Sequence, residues 1–302
     1  MSVESTPRSR VVKWWVGWGP LLLFPLLVVL LAPNDWPRWA VMWLLAFVIF
    51  CGCKWLTWRR TPVRGVSRWR HLGYLVAWPG LDASSFLRSD RTEALPPPTR
   101  AEWLFALVKF ALGVTVLIGL ARLIPGEYPY LVGWVGMVGI ILVLHFGSFH
   151  LLSSAWRSAG VEAKPLMHWP LYATSLSDFW GRRWNTAFRD LTHRFLFRPL
   201  TPRLGARGAV FAGFVFSGIV HDLVISWPAG GGYGGPTVFF LLQGVGILVE
   251  RSRAGGAIGL GGGWRGWLFT MAVLVVPLGL LFHRPFVLQV VVPFLQAMGA
   301  VR

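Results

Sequence analysis

The chain has 302 residues, of which 55% are hydrophobic and only 14% are charged. A soluble globular domain usually has about a quarter of its residues charged, and here the apolar residues form long unbroken runs, so a polytopic membrane protein is expected. The net charge of +17 comes almost entirely from arginines between these runs, which indicates contact with lipid headgroups and disfavours nucleic-acid binding.

Eight apolar stretches are candidates for helices that cross about 30 Å of hydrocarbon, the sixth and eighth being short or interrupted by proline. We expect them at residues 14–32, 37–57, 102–124, 130–152, 208–227, 236–250, 264–282 and 285–300. The chain is therefore predicted to be one all-α domain, 1–302, with about eight transmembrane helices.

The first stretch follows a basic tail, residues 1–13, which contains Arg8, Arg10 and Lys13. A signal peptide would look similar. This run is long and ends without a small-residue cleavage site, so an uncleaved first span is expected.

Arginines mark one side of the arrangement. The loops at 58–101, 153–207 and 251–263 hold nearly all the basic residues between spans. Because such residues collect in cytoplasmic loops, these loops and both chain termini are predicted to be cytoplasmic. Arg284, between the last two stretches, does not fit this pattern. The rich use of arginine, alanine, glycine and tryptophan suggests a GC-rich bacterium and hence its cytoplasmic membrane.

The two longer loops, 58–101 and 153–207, are predicted to be interfacial segments. In the first, His71–Leu87 is moderately apolar and contains the turn signal Trp78-Pro79-Gly80. This part is expected either to lie at the membrane interface or to dip into the helix bundle.

In the second loop, the pattern predicts an amphipathic helix over Asp178–Phe197 that lies on the membrane. Ser175 or Ser177 would cap its start, and Asp178 suits its first turn. Pro199 and Pro202 would end it. Its apolar side would consist of Trp180, Trp184, Ala187, Phe188, Leu191 and Phe195.

His221 lies inside the fifth apolar stretch. Ionisable residues within spans are rare and usually functional, and a neutral imidazole is suited to act as a general base. Gly213, Ser217 and Gly218 lie one and two turns before it on nearly the same face, which leaves room for a ligand or for a neighbouring helix. The structural alternative is a histidine that bonds across helices.

Three further polar residues have both functional and structural interpretations. Asp222 could orient a basic group or pair with an arginine. Asn185 could hold a carbonyl or donate to an oxyanion, although asparagines near helices are commonly caps. His145 could face the interior beside His221; its spacing from His150 puts the two about 140° apart, so they do not form a metal-chelating pair.

The basic loops admit two interpretations as well. Lipid headgroups are one ligand, and the phosphates of a CoA thioester are the other. Arg182 and Arg183 are the best candidates for the second because they adjoin Asn185. No phosphate-binding loop, nucleophile elbow or clustered metal site occurs in the sequence, so no metal or resident cofactor is predicted. Cys51 and Cys53 are too close for an ordinary disulfide.

Ser-Leu-Ser-Asp-Phe-Trp-Gly-Arg-Arg-Trp-Asn at 175–185, together with Phe-Ser-Gly-Ile-Val-His-Asp at 216–222, resembles the wax synthase branch of the membrane-bound O-acyltransferases. The resemblance extends from about Trp78-Pro-Gly to Leu281-Phe-His-Arg-Pro-Phe. It implies transfer of a fatty acyl group from acyl-CoA, as co-substrate, to a hydroxyl-bearing lipid acceptor, with long-chain alcohols as the type acceptor.

The resemblance also implies that His221 is the catalytic histidine and Asn185 its partner. The candidate substrate-binding residues around them are Asp178, Trp180, Arg182, Arg183, Trp184, Ser217, Asp222 and His145. Three alternatives remain: another acceptor, such as a sterol, diacylglycerol, glycan or peptide; a transporter that uses intramembrane histidines; and an inactive scaffold. The sequence gives neither the oligomeric state nor the acyl-chain length.

Overall fold

The computed structural model describes residues 7–88 and 95–301, with side chains from Val16 onward. The side chains of Arg8, Arg10 and Lys13, and residues 1–6 of the predicted tail, lie outside the described part. Within the described part the secondary structure is helical, without strands. The helices are α1 Pro7–Leu31, α2 Arg38–Arg59, α3 Arg68–Ala77, α4 Ala83–Leu87, α5 Arg100–Leu123, α6 Pro129–Ser158, α7 176–183, α8 Thr186–Ala229, α9 Gly235–Glu250, α10 Arg253–Ala257, α11 Gly263–Leu281 and α12 Arg284–Ala297.

Among the described residues, five helices are long and apolar enough to cross a membrane: α2, α5, α6, α8 and α11. Val16–Leu31, α9 and α12 are shorter apolar helices. A helix satisfies its own backbone hydrogen bonds, as a chain in hydrocarbon must. The prediction of an all-α polytopic integral membrane protein is confirmed, and all eight apolar stretches are helical.

The helices define two faces of the bundle. The loop face carries residues 60–88, 95–99, 159–175 and 251–262. The far face carries the short connections at 32–37, 124–128 and 230–234. The backbone of α1 meets α2 antiparallel, since the Val16 carbonyl accepts a hydrogen bond from the Trp55 indole N–H at 2.7 Å. The N-terminal end of α1 therefore points to the loop face.

The last helix departs from the predicted topology, because contacts along its length place it against the far-face ends of α2, α5 and α6. Arg38, at the far-face end of α2, bonds the Gln289 side chain, and Leu295 fills the space beside Gly136 of α6. Arg122 at the far-face end of α5 then bonds the carbonyls of Gly299 and Ala300. The eighth predicted span thus does not cross the bundle, and residues 299 and 300 lie on the face opposite to the start of α1.

The first interfacial segment dips into the bundle. Tyr74 at the end of α3 is fully buried, and Trp78 is nearly so. Lys54 of α2, which is also buried, donates to the Gly80 carbonyl at 2.6 Å, and its ammonium lies 3.4 Å from the centre of the Tyr74 ring. This cation–π contact and hydrogen bond fix the Trp78-Pro79-Gly80 turn against α2.

The second segment differs from its prediction in two ways. The predicted surface helix over Asp178–Phe197 is broken at Trp184 and Asn185 and is packed inside the bundle: Leu176 and Ala187, on either side of the break, are buried. Moreover, the helix does not end at Pro199 and Pro202. It continues into the fifth span through a bend at Gly205, whose φ of +67° suits glycine.

Candidate functional site

The short helix α7 enters the bundle from the loop face, and the chain turns back at Trp184 and Asn185. Residues 176–185 are called the re-entrant segment below, and α7 is its re-entrant helix. Ser175 caps its start by accepting a hydrogen bond from the Asp178 N–H at 3.0 Å, as one of the two predicted caps. A second acceptor comes from α9, where the buried Glu250 carboxylate accepts from the N–H groups of Leu176 at 2.6 Å and Ser177 at 3.4 Å. Sequence analysis did not identify Glu250, because a carboxylate at the end of an apolar run looks like an ordinary interfacial charge.

Asn185 forms the break between α7 and α8. Its φ of +43° is left-handed, a conformation that asparagine tolerates better than most residues. Its side-chain oxygen accepts from the Phe188 N–H at 3.3 Å and so caps α8. The cap uses the amide oxygen and leaves the side-chain NH2 group to donate elsewhere. The structure thus shows Asn185 as a cap, and its role as a donor to a substrate carbonyl stays a prediction.

Trp180 of α7 packs against both α8 and α9. Its ring centre lies 5.7 Å from that of Phe214 on α8 and 5.8 Å from that of Phe240 on α9. Its indole N–H donates to the Gln243 side-chain oxygen at 3.4 Å. Gln243 is fully buried and itself donates to the Val273 carbonyl at 3.0 Å. Gln243 is a second polar residue of this region that the sequence analysis missed.

His221 has a defined tautomer. Its Nδ1 lies 2.7 Å from the Ser217 carbonyl oxygen, which can only accept, so Nδ1 carries the proton. Nε2 therefore holds a free lone pair, as a general base requires. The imidazole centre lies 4.5 Å from that of Phe240, the residue that also contacts Trp180. Phe240 thus links His221 to the re-entrant segment.

The small residues before His221 divide between the two predicted uses. A Cβ on Gly218 would lie 2.7 Å from the Thr237 Cα, so this glycine lets α9 pack closely against α8. Gly213 has open space where its Cβ would be. Immediately after His221, Asp222–Ser226 form a π-helical turn, a local feature that is frequent at functional sites.

Asp222 has a structural environment. Its carboxylate accepts from the backbone N–H groups of Gly234 at 2.8 Å and Thr237 at 3.0 Å, and from the hydroxyls of Ser226 and Thr237. These bonds hold the start of α9 against α8. None of the groups is an arginine, so the predicted arginine pairing is not what the structure shows.

Asp178 organises the two neighbouring arginines at the loop face. Arg182 donates from Nε to one carboxylate oxygen at 2.9 Å, and Arg183 donates to the other. Asp178 itself is buried, whereas the Arg182 side chain is 78% exposed. Asp178 therefore holds both Nε atoms. The outer edge of Arg182 faces solvent, whereas Nη1 of Arg183 donates to the carbonyls of His168 at 3.4 Å and Trp169 at 3.3 Å.

His145 lies on another side of the re-entrant segment from His221. Its ring is stacked on the Trp184 indole, with centres 6.1 Å apart and planes at 14°. Its Nδ1 is buried and has no hydrogen-bond partner among the described residues. His150 is turned away to Lys109, at 2.7 Å, and to Glu102, at 3.3 Å. His145 and His150 therefore have separate partners. The aromatic contacts that connect His145 with His221 pass through residues 179–184.

An open groove leads from the loop face between α8 and α9. It has a volume of about 420 Å³ and is lined by Arg207, Gly208, Phe211, Leu248 and Ser252. Phe211 and Phe214 both pack beside Gly244, and Phe214 also contacts Trp180. The groove therefore approaches the aromatic cluster around Trp180 from the loop face.

Comparison with known proteins finds a similarity in the central part of the chain. Residues 163–242 match the Membrane bound O-acyl transferase family. The matched segment contains the re-entrant helix, Asn185, all of α8 and the first half of α9. No cluster of three potential metal ligands occurs in the described part of the chain.

Curated relatives share the same central similarity. The chain is 34% identical over 143 residues to "Probable long-chain-alcohol O-fatty-acyltransferase 7" from Arabidopsis thaliana, covering 41% of this chain and 40% of that protein. It is 33% identical over 112 residues to "Long-chain-alcohol O-fatty-acyltransferase" from Simmondsia chinensis, covering 32% and 30%. It is 38% identical over 71 residues to "Acyl-CoA--sterol O-acyltransferase 1" from Arabidopsis thaliana, covering 21% of each. The chain thus spans less than half the length of these relatives, which are plant proteins and do not support the predicted bacterial source.

Proposed function

We propose that the protein is a membrane-bound O-acyltransferase that moves a fatty acyl group from acyl-CoA to the hydroxyl of a long-chain alcohol, forming a wax ester. The observation that carries this proposal is the His221 tautomer, with Nδ1–H held by the Ser217 carbonyl and Nε2 left as an acceptor. It is supported by the family match over 163–242, which contains both His221 and Asn185.

In the proposed reaction, His221 Nε2 takes the proton of the acceptor hydroxyl as the alcohol oxygen attacks the thioester carbon. The new C–O bond forms and the C–S bond breaks. The CoA thiolate then leaves and takes the proton from His221, so the histidine is regenerated. The Asn185 NH2 donates to the carbonyl oxygen while negative charge develops on it, which lowers the barrier. No covalent acyl-enzyme is required.

The two substrates would reach the site from different phases. We propose that the loop face is cytoplasmic, because it carries the arginines. The charged part of acyl-CoA would stay at that face near the exposed guanidinium of Arg182 and near Arg183, whose Nη1 also holds the carbonyls of His168 and Trp169. The groove beside Phe211 is suited to an apolar chain because it leads from this face toward Trp180. The alcohol would enter from the bilayer.

His145 and Trp184 are proposed to line the substrate side of the re-entrant segment. Trp184 directly precedes Asn185, and stacking on His145 restricts its ring. The buried, unpaired Nδ1 of His145 can bond a polar atom of a substrate. Ser217 contributes through its carbonyl, and Asp222 by fixing α9, so these two residues would support His221 without contacting a substrate.

A sterol is the second candidate acceptor. It is favoured by the similarity to a protein named for acyl-CoA–sterol transfer. Both acceptors present a single hydroxyl on a large apolar body, and the same base would serve either. The choice between them rests on the shape of the acceptor space.

The proposal can be tested in a host that makes no wax esters. Cells expressing the wild type or His221→Ala would be fed fatty alcohol or sterol, and their neutral lipids would be separated by thin-layer chromatography. We expect a new wax-ester band with the wild type alone. A steryl-ester band instead would reassign the acceptor, and an ester band of equal strength with His221→Ala would refute the role of the histidine.

A further inference from the structure

An exposed aromatic pair stands beside an arginine where the chain enters the re-entrant segment. Trp169 and Tyr172 are 57% and 66% exposed, and with Arg183 they line an open cavity of about 270 Å³. Their ring centres are 5.8 Å apart at 79°, so the two rings form a corner. Such a corner beside a guanidinium group has the features that recognise a nucleotide base and its phosphates.

The backbone of Trp169 is unusual. Its φ of +48° and ψ of +58° are left-handed, which carries a free-energy penalty for a bulky residue. An interfacial anchor needs no such conformation, because tryptophan can reach the membrane edge from an ordinary helix or loop. The surrounding contacts hold the ring in place: Phe105 stacks on it at 5.1 Å, and Arg183 donates to its carbonyl at 3.3 Å.

Positive charge surrounds the same corner. The Lys109 ammonium lies 4.4 Å from the centre of the Phe105 ring, on which Trp169 stacks. Burial lowers the pKa of His168; a hydrogen bond to the Pro165 backbone opposes this, and the positive charges of Arg183 and Lys109 lower the pKa further. The nearby carboxylate of Asp178 is already bonded to Arg182 and Arg183. A phosphate would therefore meet cations at this position.

We infer that Trp169, Tyr172 and Arg183 form a subsite for an adenine nucleotide phosphate, namely the head of the CoA thioester. The adenine would stack on the open side of the Trp169 ring, and its phosphates would contact Arg183 and the exposed Arg182. This inference rests on the proposed acyl donor. The nucleotide would lie at the loop face, just before α7, and Asn185 follows the other end of α7. One continuous stretch of chain would therefore bind the head of the donor and position its thioester.

The test measures binding of free CoA, which has the nucleotide head but no acyl chain, to protein in lipid nanodiscs. The informative variants are Trp169→Ala and Trp169→Gly. The second removes the ring while glycine tolerates the left-handed backbone, so it separates lost stacking from misfolding. Trp264→Ala is the matched control, since Trp264 is 70% exposed and also has an arginine, Arg265, 5.5 Å from its ring.

We expect both Trp169 variants to raise the Kd for CoA by about fivefold or more, as loss of a base-stacking ring does, while Trp264→Ala leaves it unchanged. An unchanged Kd in Trp169→Gly, or no binding of free CoA by the wild type, would overturn the inference. His221→Ala separates the two proposals, because it is expected to bind CoA normally and to transfer nothing. CoA binding that depends on Trp169, in a wild type that forms no ester, would retain the subsite and refute the proposed reaction.

Discussion

Glu250 offers the sharpest test of how the re-entrant segment is held. In Glu250→Ala the fully buried N–H of Leu176 loses its 2.6 Å acceptor, and the weaker 3.4 Å bond from Ser177 is lost too. A buried donor left without a partner costs about 1–3 kcal/mol. Since 1.4 kcal/mol is a factor of ten in an equilibrium constant, the equilibrium constant for docking of α7 should fall roughly tenfold.

The assay is acyl transfer by purified protein, with kcat and KM measured separately for both substrates. Glu250→Gln keeps an acceptor oxygen without the charge, so it should recover most of the lost activity. Arg251→Ala is the control, because Arg251 donates only to the partly exposed Ser177 hydroxyl at 3.0 Å. If Glu250→Ala retained wild-type kcat and KM, or if Glu250→Gln were as impaired as Glu250→Ala, the proposed anchoring of α7 would be wrong.

Three further predictions address packing, pH and topology. Gly218→Ala should destabilise the protein by about 1–3 kcal/mol, because its Cβ would lie 2.7 Å from the Thr237 Cα. Gly213→Ala is the control, since its Cβ would have open space. Equal melting temperatures of the two variants would contradict the close contact of α8 and α9. Burial lowers the pKa of His283, whose Nδ1 accepts from the Phe286 N–H. The imidazole of His283 therefore takes up a proton less readily in the folded state than in the unfolded chain. Stability should therefore fall as pH drops from 7.5 to 5.5, and less so in His283→Asn, which can still cap the helix; identical losses in both would exclude His283 as the cause. A reporter fused after residue 302 should lie on the opposite side of the membrane from one fused before residue 1, since Arg122 holds Gly299 and Ala300 at the far face; both reporters on one side would restore the predicted eight crossings.

The sequence was sufficient for the helical spans because their lengths follow from the thickness of the hydrocarbon. It was insufficient for α12, which has about 14 residues and is roughly 21 Å long at 1.5 Å per residue. That length is too short to cross unaided, and the contacts with Arg38 and Arg122 come from residues more than 100 positions away in the chain. Arg284 lies at the far face in either arrangement, so it remains an exception to the charge pattern.

The candidate site shows a similar division. His221 could be found because an imidazole is conspicuous within an apolar run. The break at Asn185 could not, because the helical spacing of Trp180, Trp184 and Phe188 continues through it, and only the left-handed backbone reveals it. Glu250 and Gln243 acquire their roles from contacts with α7 and α11, which periodicity does not contain. Asp222 was ambiguous because a carboxylate can pair with an arginine or cap a helix, and the fold selects the cap.

The central claim is that His221 acts as the base in acyl transfer. The most direct measurement is ester formation by purified protein from labelled acyl-CoA and a long-chain alcohol, comparing the wild type with His221→Gln at equal protein and equal CoA binding. A positioned general base contributes at least about 100-fold to rate, so His221→Gln should lose at least that factor in kcat. Ester formation at the wild-type rate by His221→Gln would contradict the account.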